Sequence, residues 1–168
     1  MPIAAAPLAA PSRIPAAAHG AGPVAELNPV LEGARHAATV SGLGYAGNVT
    51  PAEALALHQS GGALLIDVRT AEELKVVGRV EGARHLPWLI GERMERNVYF
   101  LDQLADLAAR DEPVLLLCRS GKRSVAAARA ATEAGYSLVF NVLEGFEGDR
   151  AIERANGWQQ RGLPWVQG

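Results

Sequence analysis

Cys118, the only cysteine of the 168-residue chain, directly follows the apolar run Val114-Leu115-Leu116-Leu117 and precedes Arg119-Ser120-Gly121-Lys122-Arg123. Three cations and a glycine therefore follow a lone thiol within five positions. The thiolate, not the thiol, is the nucleophile, and neighbouring cations and helix N-termini both favour it. An alanine-rich helix is expected over residues 124–134, ending at Gly135. Its unpaired N–H groups and positive dipole end would face the loop, an arrangement that also binds small anions. Gly121 lets the backbone turn where a side chain would obstruct it. A lone cysteine ending an apolar strand is most often inert core. The conjunction of cations, glycine and helix start predicts a reactive, anion-facing thiol instead.

The flanking elements support that placement. Val114 to Leu117 is the most hydrophobic run in the chain and reads as a central strand, as does residues 63–68 (ALLIDV). Such continuous apolar runs suit strands buried on both faces of a parallel sheet. Thr50-Pro51-Ala52-Glu53 and Thr70-Ala71-Glu72-Glu73 both read as capping boxes that start helices. Residues 83–87 and 137–143 read as further strands. Residues 97–110 read as a helix with Val98, Leu101, Leu104, Ala105 and Ala108 on one face, broken by Asp111-Glu112-Pro113. The alternation gives an α/β fold with a mainly parallel sheet. In such sheets ligands sit beyond the carboxyl ends of strands, where Cys118 falls. Residues 1–44 lack sustained periodicity and read as an Ala/Pro/Gly-rich tail or loosely docked lead-in.

Composition narrows the functional classes. Sixteen Lys+Arg against 18 Asp+Glu give a net charge of −2, so no basic field draws the chain to nucleic acid or a membrane surface. No run offers the ~18 uninterrupted apolar residues of a membrane span. Prolines at positions 2, 7, 11 and 15 interrupt any leader-like apolar stretch, which disfavours a secretory signal. One cysteine precludes an intramolecular disulfide and a cysteine zinc cluster, and His19, His36, His58 and His85 are scattered. No metal or cofactor is expected. A cytoplasmic location is expected, with periplasmic export the minor alternative.

Residues 118–124 (CRSGKRS) resemble the active-site loop of rhodanese domains. Residues 65–74 (LIDVRTAEEL) resemble the family's strand-to-helix segment, and Gly78-Arg79-Val80-Glu81-Gly82-Ala83 with Leu86-Pro87 its glycine-rich turn. Residues 142–146 (VLEGF), Gly157-Trp158 and Gly162-Leu163-Pro164 resemble its closing pattern. The matches run in family order from about residue 45 to 166. They imply a three-layer fold with helices flanking the sheet, residues 45–168 forming the rhodanese domain. They also imply a chemistry. The Cys118 thiolate attacks the outer sulfur of a small anionic donor such as thiosulfate, and the resulting persulfide passes sulfur to cyanide or a thiol, including a protein thiol. Arg119, Ser120, Gly121, Lys122 and Arg123 would bind substrate, their backbone N–H groups cradling the persulfide. Asp67, Arg69 and Ser124 would support the site. Arg123→Ala is expected to weaken donor capture more than folding. Two departures stand out: Arg79 replaces a frequent histidine, and residues 147–157 (EGDRAIERANG) form a longer charged segment, expected to be an exposed helix.

Three rival readings share parts of this pattern. Phosphatases and arsenate reductases with a cysteine-to-arginine loop enclose one residue more than the four between Cys118 and Arg123. Gly42, Gly44 and Gly47 fit G-x-G-x-x-G, but no good strand precedes them and the next helix starts late, so a flexible lead-in accounts for them better. A rhodanese-like module that carries sulfur or binds a partner without turnover is the third.

Overall fold

The computed structural model describes residues 26–168. Helix α1 spans Pro29–Ser41, inside the stretch where the sequence pattern predicts only a lead-in. Its ends are well signalled. The Asn28 side chain accepts from Val30 N, Pro29 occupies the first turn, and Gly42 closes the helix in the left-handed region at φ 65°. The apolar face is faint because only Leu31 and Ala38 are buried, so little periodicity reaches the sequence. Residues 1–25 of the expected tail lie outside the described residues.

Strand β1 (Gly47–Val49) begins where α1 passes close by. A Cβ on Gly47 would lie 2.5 Å from the Ala34 carbonyl oxygen at φ 149°, so this glycine permits helix–strand contact. The three spaced glycines therefore end a helix and begin a strand, the reverse of a dinucleotide-binding turn. The flexible lead-in expected there is likewise replaced by packed structure.

Helices α2 (Pro51–Ser60) and α3 (Ala71–Val77) start with both halves of their capping boxes made, by Thr50 with Glu53 and by Thr70 with Glu73. Between them runs β2 (Leu64–Asp67). After α3 come β3 (Arg84–His85) and a small antiparallel hairpin of β4 (Leu89–Ile90) and β5 (Glu95–Arg96). Helix α4 (Phe100–Leu107), β6 (Val114–Leu117), α5 (Lys122–Glu133) and β7 (Val139–Val142) complete the order.

The main sheet has five strands in the order β1-β7-β6-β2-β3, every neighbouring pair parallel. All four side chains of β6 are fully buried, and alternate ones enter different cores. Val114 and Leu116 pack with Phe100 and Leu104 of α4 and Ala127, Ala128 and Ala131 of α5. Leu115 and Leu117 pack with Leu31 of α1, Ala54 and Leu57 of α2, and the buried aromatics Phe146 and Trp158. Helices thus cover both faces of the sheet, giving three layers. Each such fully buried aliphatic side chain is worth about 1.5–3 kcal/mol relative to exposure.

Two expectations need correction. Helix α4 is shorter than residues 97–110, and Val98 is 78 % exposed rather than on the buried face. Asn97 is the reason. Its amide nitrogen donates to the Pro87 carbonyl and to Gln103 Oε1, and its side-chain oxygen accepts from Tyr99 N, so residues 97–99 turn before the helix starts. The second correction concerns residues 147–157, which form turns and bends instead of a helix. Buried Asn156 closes this excursion by accepting from Asp149 N and donating to the Asp149 and Arg154 carbonyls.

Candidate functional site

Strand β6 delivers Cys118 to the carboxyl edge of the sheet, between β7 and β2. The residue is 1 % exposed. Its sulfur accepts a hydrogen bond from Gly121 N at 3.0 Å and lies 3.2 Å from Ser124 Oγ. Gly121 sits at φ 96°, a conformation open to glycine, and is the N-cap of α5. The helix therefore begins at Lys122, two residues before the expected start. Lys122 and Arg123 belong to its first turn rather than to the loop. Among the described residues, the backbone N–H groups of Arg119, Ser120, Lys122 and Arg123 meet no protein acceptor, so they remain open to an anion or solvent.

The cations do not form the free cluster that their spacing suggests. Arg123 grips Glu73 with two hydrogen bonds, Nη1 to Oε2 at 2.7 Å and Nη2 to Oε1 at 2.6 Å. This pairing is the main cause that raises the Arg123 pKa above its ordinary value, with lesser attraction from Cys118 and Asp67. Burial opposes ionisation of Glu73, but the Arg123 hydrogen bond and charge and the Thr70 contacts outweigh it, holding the carboxyl at about 2. Arg119 Nε approaches Glu147 Oε2 at 3.3 Å in a partly exposed pair. Lys122 is exposed with no carboxylate in ion-pair range among the described residues. The Ser120 side chain makes no hydrogen bond there either.

Asp67 and Arg69 form a buried ion pair at the end of β2, the strand beside β6. Arg69 Nη2 donates to Asp67 Oδ2 at 2.7 Å and to the Gly78 carbonyl at 2.9 Å. Its guanidinium lies 4.1 Å from the Phe146 ring centroid, and the Phe146 amide donates to the Cys118 carbonyl at 2.8 Å. The pair thus reaches the Cys118 backbone through Phe146. Arg79 takes part through its backbone, exchanging two hydrogen bonds with Val166 of the closing segment.

Ser124 opens onto a second buried chain. Its hydroxyl donates to Asn141 Oδ1 at 2.5 Å, and Asn141 Nδ2 donates to Asn48 Oδ1 at 3.0 Å. Asn48 Oδ1 also accepts from the Tyr45 hydroxyl at 2.8 Å. The sequence reading did not single out Glu73, Glu147 or Asn141 as site residues. Asn141 did carry a signal, since an asparagine inside the apolar run Val139-Phe140-Asn141-Val142 needs buried partners. Glu73 was visible only as a helix cap.

Two surface clefts of about 320 and 290 Å³ lie elsewhere, one beside Arg35 and Tyr45 and the other beside His58 and Trp165, and neither borders Cys118. The thiol instead sits under a tight loop. Such a cradle suits a donor of few atoms better than a bulky ligand.

Comparison with known proteins agrees with this fold. The rhodanese-like domain pattern matches residues 50–151. The uncharacterized protein RP600 of Rickettsia prowazekii is 36% identical over 105 residues, covering 61% of this chain and 82% of its own. The thiosulfate sulfurtransferase GlpE of Actinobacillus succinogenes is 34% identical over 116 residues, covering 69% and 86%. Among solved structures, Rv0390 from M. tuberculosis is 42% identical with a TM-score of 0.64, covering 74% of this chain and 99% of that one. The polysulfide-sulfur transferase homodimer from Wolinella succinogenes, 22% identical with a TM-score of 0.53 over 79% and 90% of the chains, shares the fold.

Proposed function

The chain belongs to the rhodanese-like domain family, and on that premise we propose that it transfers sulfane sulfur through a persulfide on Cys118. The observation that carries this reading is the Cys118 sulfur itself. It lies at the carboxyl end of the central strand, receives the Gly121 N–H at 3.0 Å, and is followed by a loop whose other amides meet no protein acceptor among the described residues.

In the first half-reaction the Cys118 thiolate attacks the outer sulfur of thiosulfate. The S–S bond of the donor breaks, sulfite leaves with the bonding pair, and Cys118 holds a persulfide. In the second, an acceptor thiolate or cyanide attacks the terminal sulfur, and Cys118 leaves as thiolate. Both steps conserve charge, and splitting the transfer in two predicts ping-pong kinetics. The persulfide carries its negative charge on the terminal sulfur. Preorganised N–H dipoles stabilise such a charge as they do an oxyanion, because they need no reorientation when it arrives. The four residues between Cys118 and Arg123 make a ring one residue smaller than the phosphatase loop, which favours a single sulfur over a phosphate.

Intact-mass measurement after thiosulfate treatment tests the proposal. A gain of one sulfur atom, absent in Cys118→Ser and discharged by cyanide, is expected. Cys118→Ser should melt close to the parent protein, because the replacement is nearly isosteric. A mass unchanged by thiosulfate, or sulfur uptake retained in Cys118→Ser, would overturn it. Uptake and single discharge without turnover would assign the sulfur-carrier role in place of the enzyme.

A further inference from the structure

The Ser124 hydroxyl has one proton and two neighbours that compete for it. One is Asn141 Oδ1 at 2.5 Å, the other the Cys118 sulfur at 3.2 Å. The competition is decided by residues behind Asn141. Asn141 Nδ2 donates to Asn48 Oδ1, and that oxygen is fixed as an acceptor by the Tyr45 hydroxyl as well. The Asn141 carboxamide is thereby held with its nitrogen toward β1 and its oxygen toward Ser124. Asn141 is 2 % exposed and Ser124 fully buried, so water does not substitute for either partner. The Ser124 proton accordingly points at Asn141, and Ser124 turns a lone pair toward the sulfur.

From this we infer that Asn141, braced by Asn48 and Tyr45, is a positioning residue that sets the direction of the Ser124 hydroxyl and so controls how readily Cys118 ionises. The thiol is served as it stands: Cys118 S–H donates to Ser124, and Gly121 N–H donates to the sulfur. The thiolate is not. Once the proton leaves for solvent, two lone pairs face each other until the hydroxyl rotates to donate to sulfur. That rotation strands the Asn141 oxygen as a buried acceptor without a donor, which is costly. The relay therefore resists ionisation, and among the described residues the Gly121 amide is the sulfur's only committed donor in the resting arrangement. A sparingly solvated thiolate is also the better nucleophile, because it sheds fewer hydrogen bonds on attack.

The inference rests on Cys118 being the reactive residue, but its test does not require sulfur transfer. The rate of Cys118 alkylation by iodoacetamide is measured against pH in the parent protein, Asn141→Leu and Asn48→Ala. The other charged groups around the sulfur are the same in all three: Arg123 on α5, Asp67 and Arg69 at the end of β2, Glu73 behind Arg123, and Arg119 with Glu147 in the adjoining loops. Tyr45 is present throughout. Asn141→Leu keeps the branched side-chain shape, at a somewhat larger volume, and frees the Ser124 proton for the sulfur. Its alkylation midpoint should fall by about one pH unit, a tenfold change in ionisation. Asn48→Ala, at a half-buried position on the edge strand, should give a smaller shift in the same direction.

A structural disturbance is separated from a directed hydroxyl by repeating the comparison in a Ser124→Ala background. There Asn141→Leu should move the midpoint by nothing, because the proton it redirects is gone. An unchanged or raised midpoint in both Asn141→Leu and Asn48→Ala, or an equal fall with and without Ser124, would overturn the inference. Failure of thiosulfate to add sulfur would instead overturn the sulfurtransferase reading while leaving this result standing.

Discussion

Arg123 and Glu73, fifty positions apart in the sequence, meet through two hydrogen bonds of 2.7 and 2.6 Å. The same carboxylate accepts from Thr70 N at 2.8 Å and completes the capping box of α3. One side chain therefore both starts a helix and holds the arginine that closes the thiol loop. Bidentate guanidinium–carboxylate geometry fixes orientation as well as distance. Arg123 is thus committed to holding the loop, and its charge reaches the sulfur already partly compensated.

That commitment makes loop stability depend on pH. The Glu73 pKa is depressed, so the pair's stabilisation is full above the ordinary value of 4.5 and disappears as pH falls through about 2. The shift corresponds to about 3 kcal/mol, reduced to about 1–2 kcal/mol by the pair's contact with solvent. Urea unfolding of the parent and Glu73→Gln should differ by that amount at pH 7 and converge near pH 2. A difference of equal size at both values would show that the carboxylate's charge contributes nothing.

Donor capture should fall to Lys122, the cation in the first turn of α5 that has no carboxylate partner among the described residues. Lys122→Ala should raise KM for thiosulfate about two- to fivefold at low salt, leave kcat alone, and lose its effect as salt screens the charge. The melting temperature should not move. Because Arg123→Ala leaves Glu73 unpaired, it should lower stability together with kinetics, where the sequence expectation puts the loss mainly on donor capture. Steady-state rates beside melting curves separate the two cases, and a Lys122→Ala protein with parental KM at low salt would refute the assignment.

How much of this was readable before the structure depends on the range of each interaction. The strand at Val114–Leu117, both capping boxes and the placement of Cys118 were legible because they are local. Patterns of apolar residues and caps a few positions apart carry them. Helix α1 was missed because alanines and a single buried leucine make too weak a stripe. Val98 was misplaced because helical spacing says nothing about the Asn97 side chain, which takes over the first turn. Around the thiol, the loop's charges were visible but their partners were not. Glu73 and Glu147 reach Arg123 and Arg119 only after folding, which turns an apparent cationic cluster into two ion pairs and a lysine with no carboxylate in range among the described residues.

The Asp67–Arg69 pair gives a third prediction. Arg69 is fully buried, and Asp67 supplies its only carboxylate among the described residues. Removing one partner of a buried pair leaves an uncompensated charge and typically costs about 3–5 kcal/mol. Asp67→Asn should lose stability on that scale in urea unfolding. Because Arg69 packs on Phe146 and Phe146 N–H holds the Cys118 carbonyl, persulfide yield per folded molecule should fall too. A large stability loss with parental yield would show that the brace ends at Arg69 and does not extend to the thiol loop.

The turn behind the loop offers the sharpest steric test. Gly145 sits at φ 69°, and a Cβ there would lie 2.6 Å from the Cys118 carbonyl oxygen and press on the Arg119 carbonyl as well. Neither neighbour can yield cheaply. Phe146 N bonds the Cys118 carbonyl at 2.8 Å and Glu147 N bonds the Arg119 carbonyl at 2.9 Å, clamping the two residues after the glycine onto the start of the thiol loop. Gly145→Ala must lift the turn off the cysteine's own backbone. Gly162 is the matched control, with φ 73° and no atom within 4 Å of its added Cβ. Gly162→Ala should cost only the left-handed strain, about 1–2 kcal/mol, and keep parental persulfide yield. Gly145→Ala should cost clearly more, through two clamping hydrogen bonds as well as strain, and lose most of the yield in the fraction that remains folded. Equal losses in the two variants would mean that backbone conformation alone matters, and that close contact with Cys118 does not.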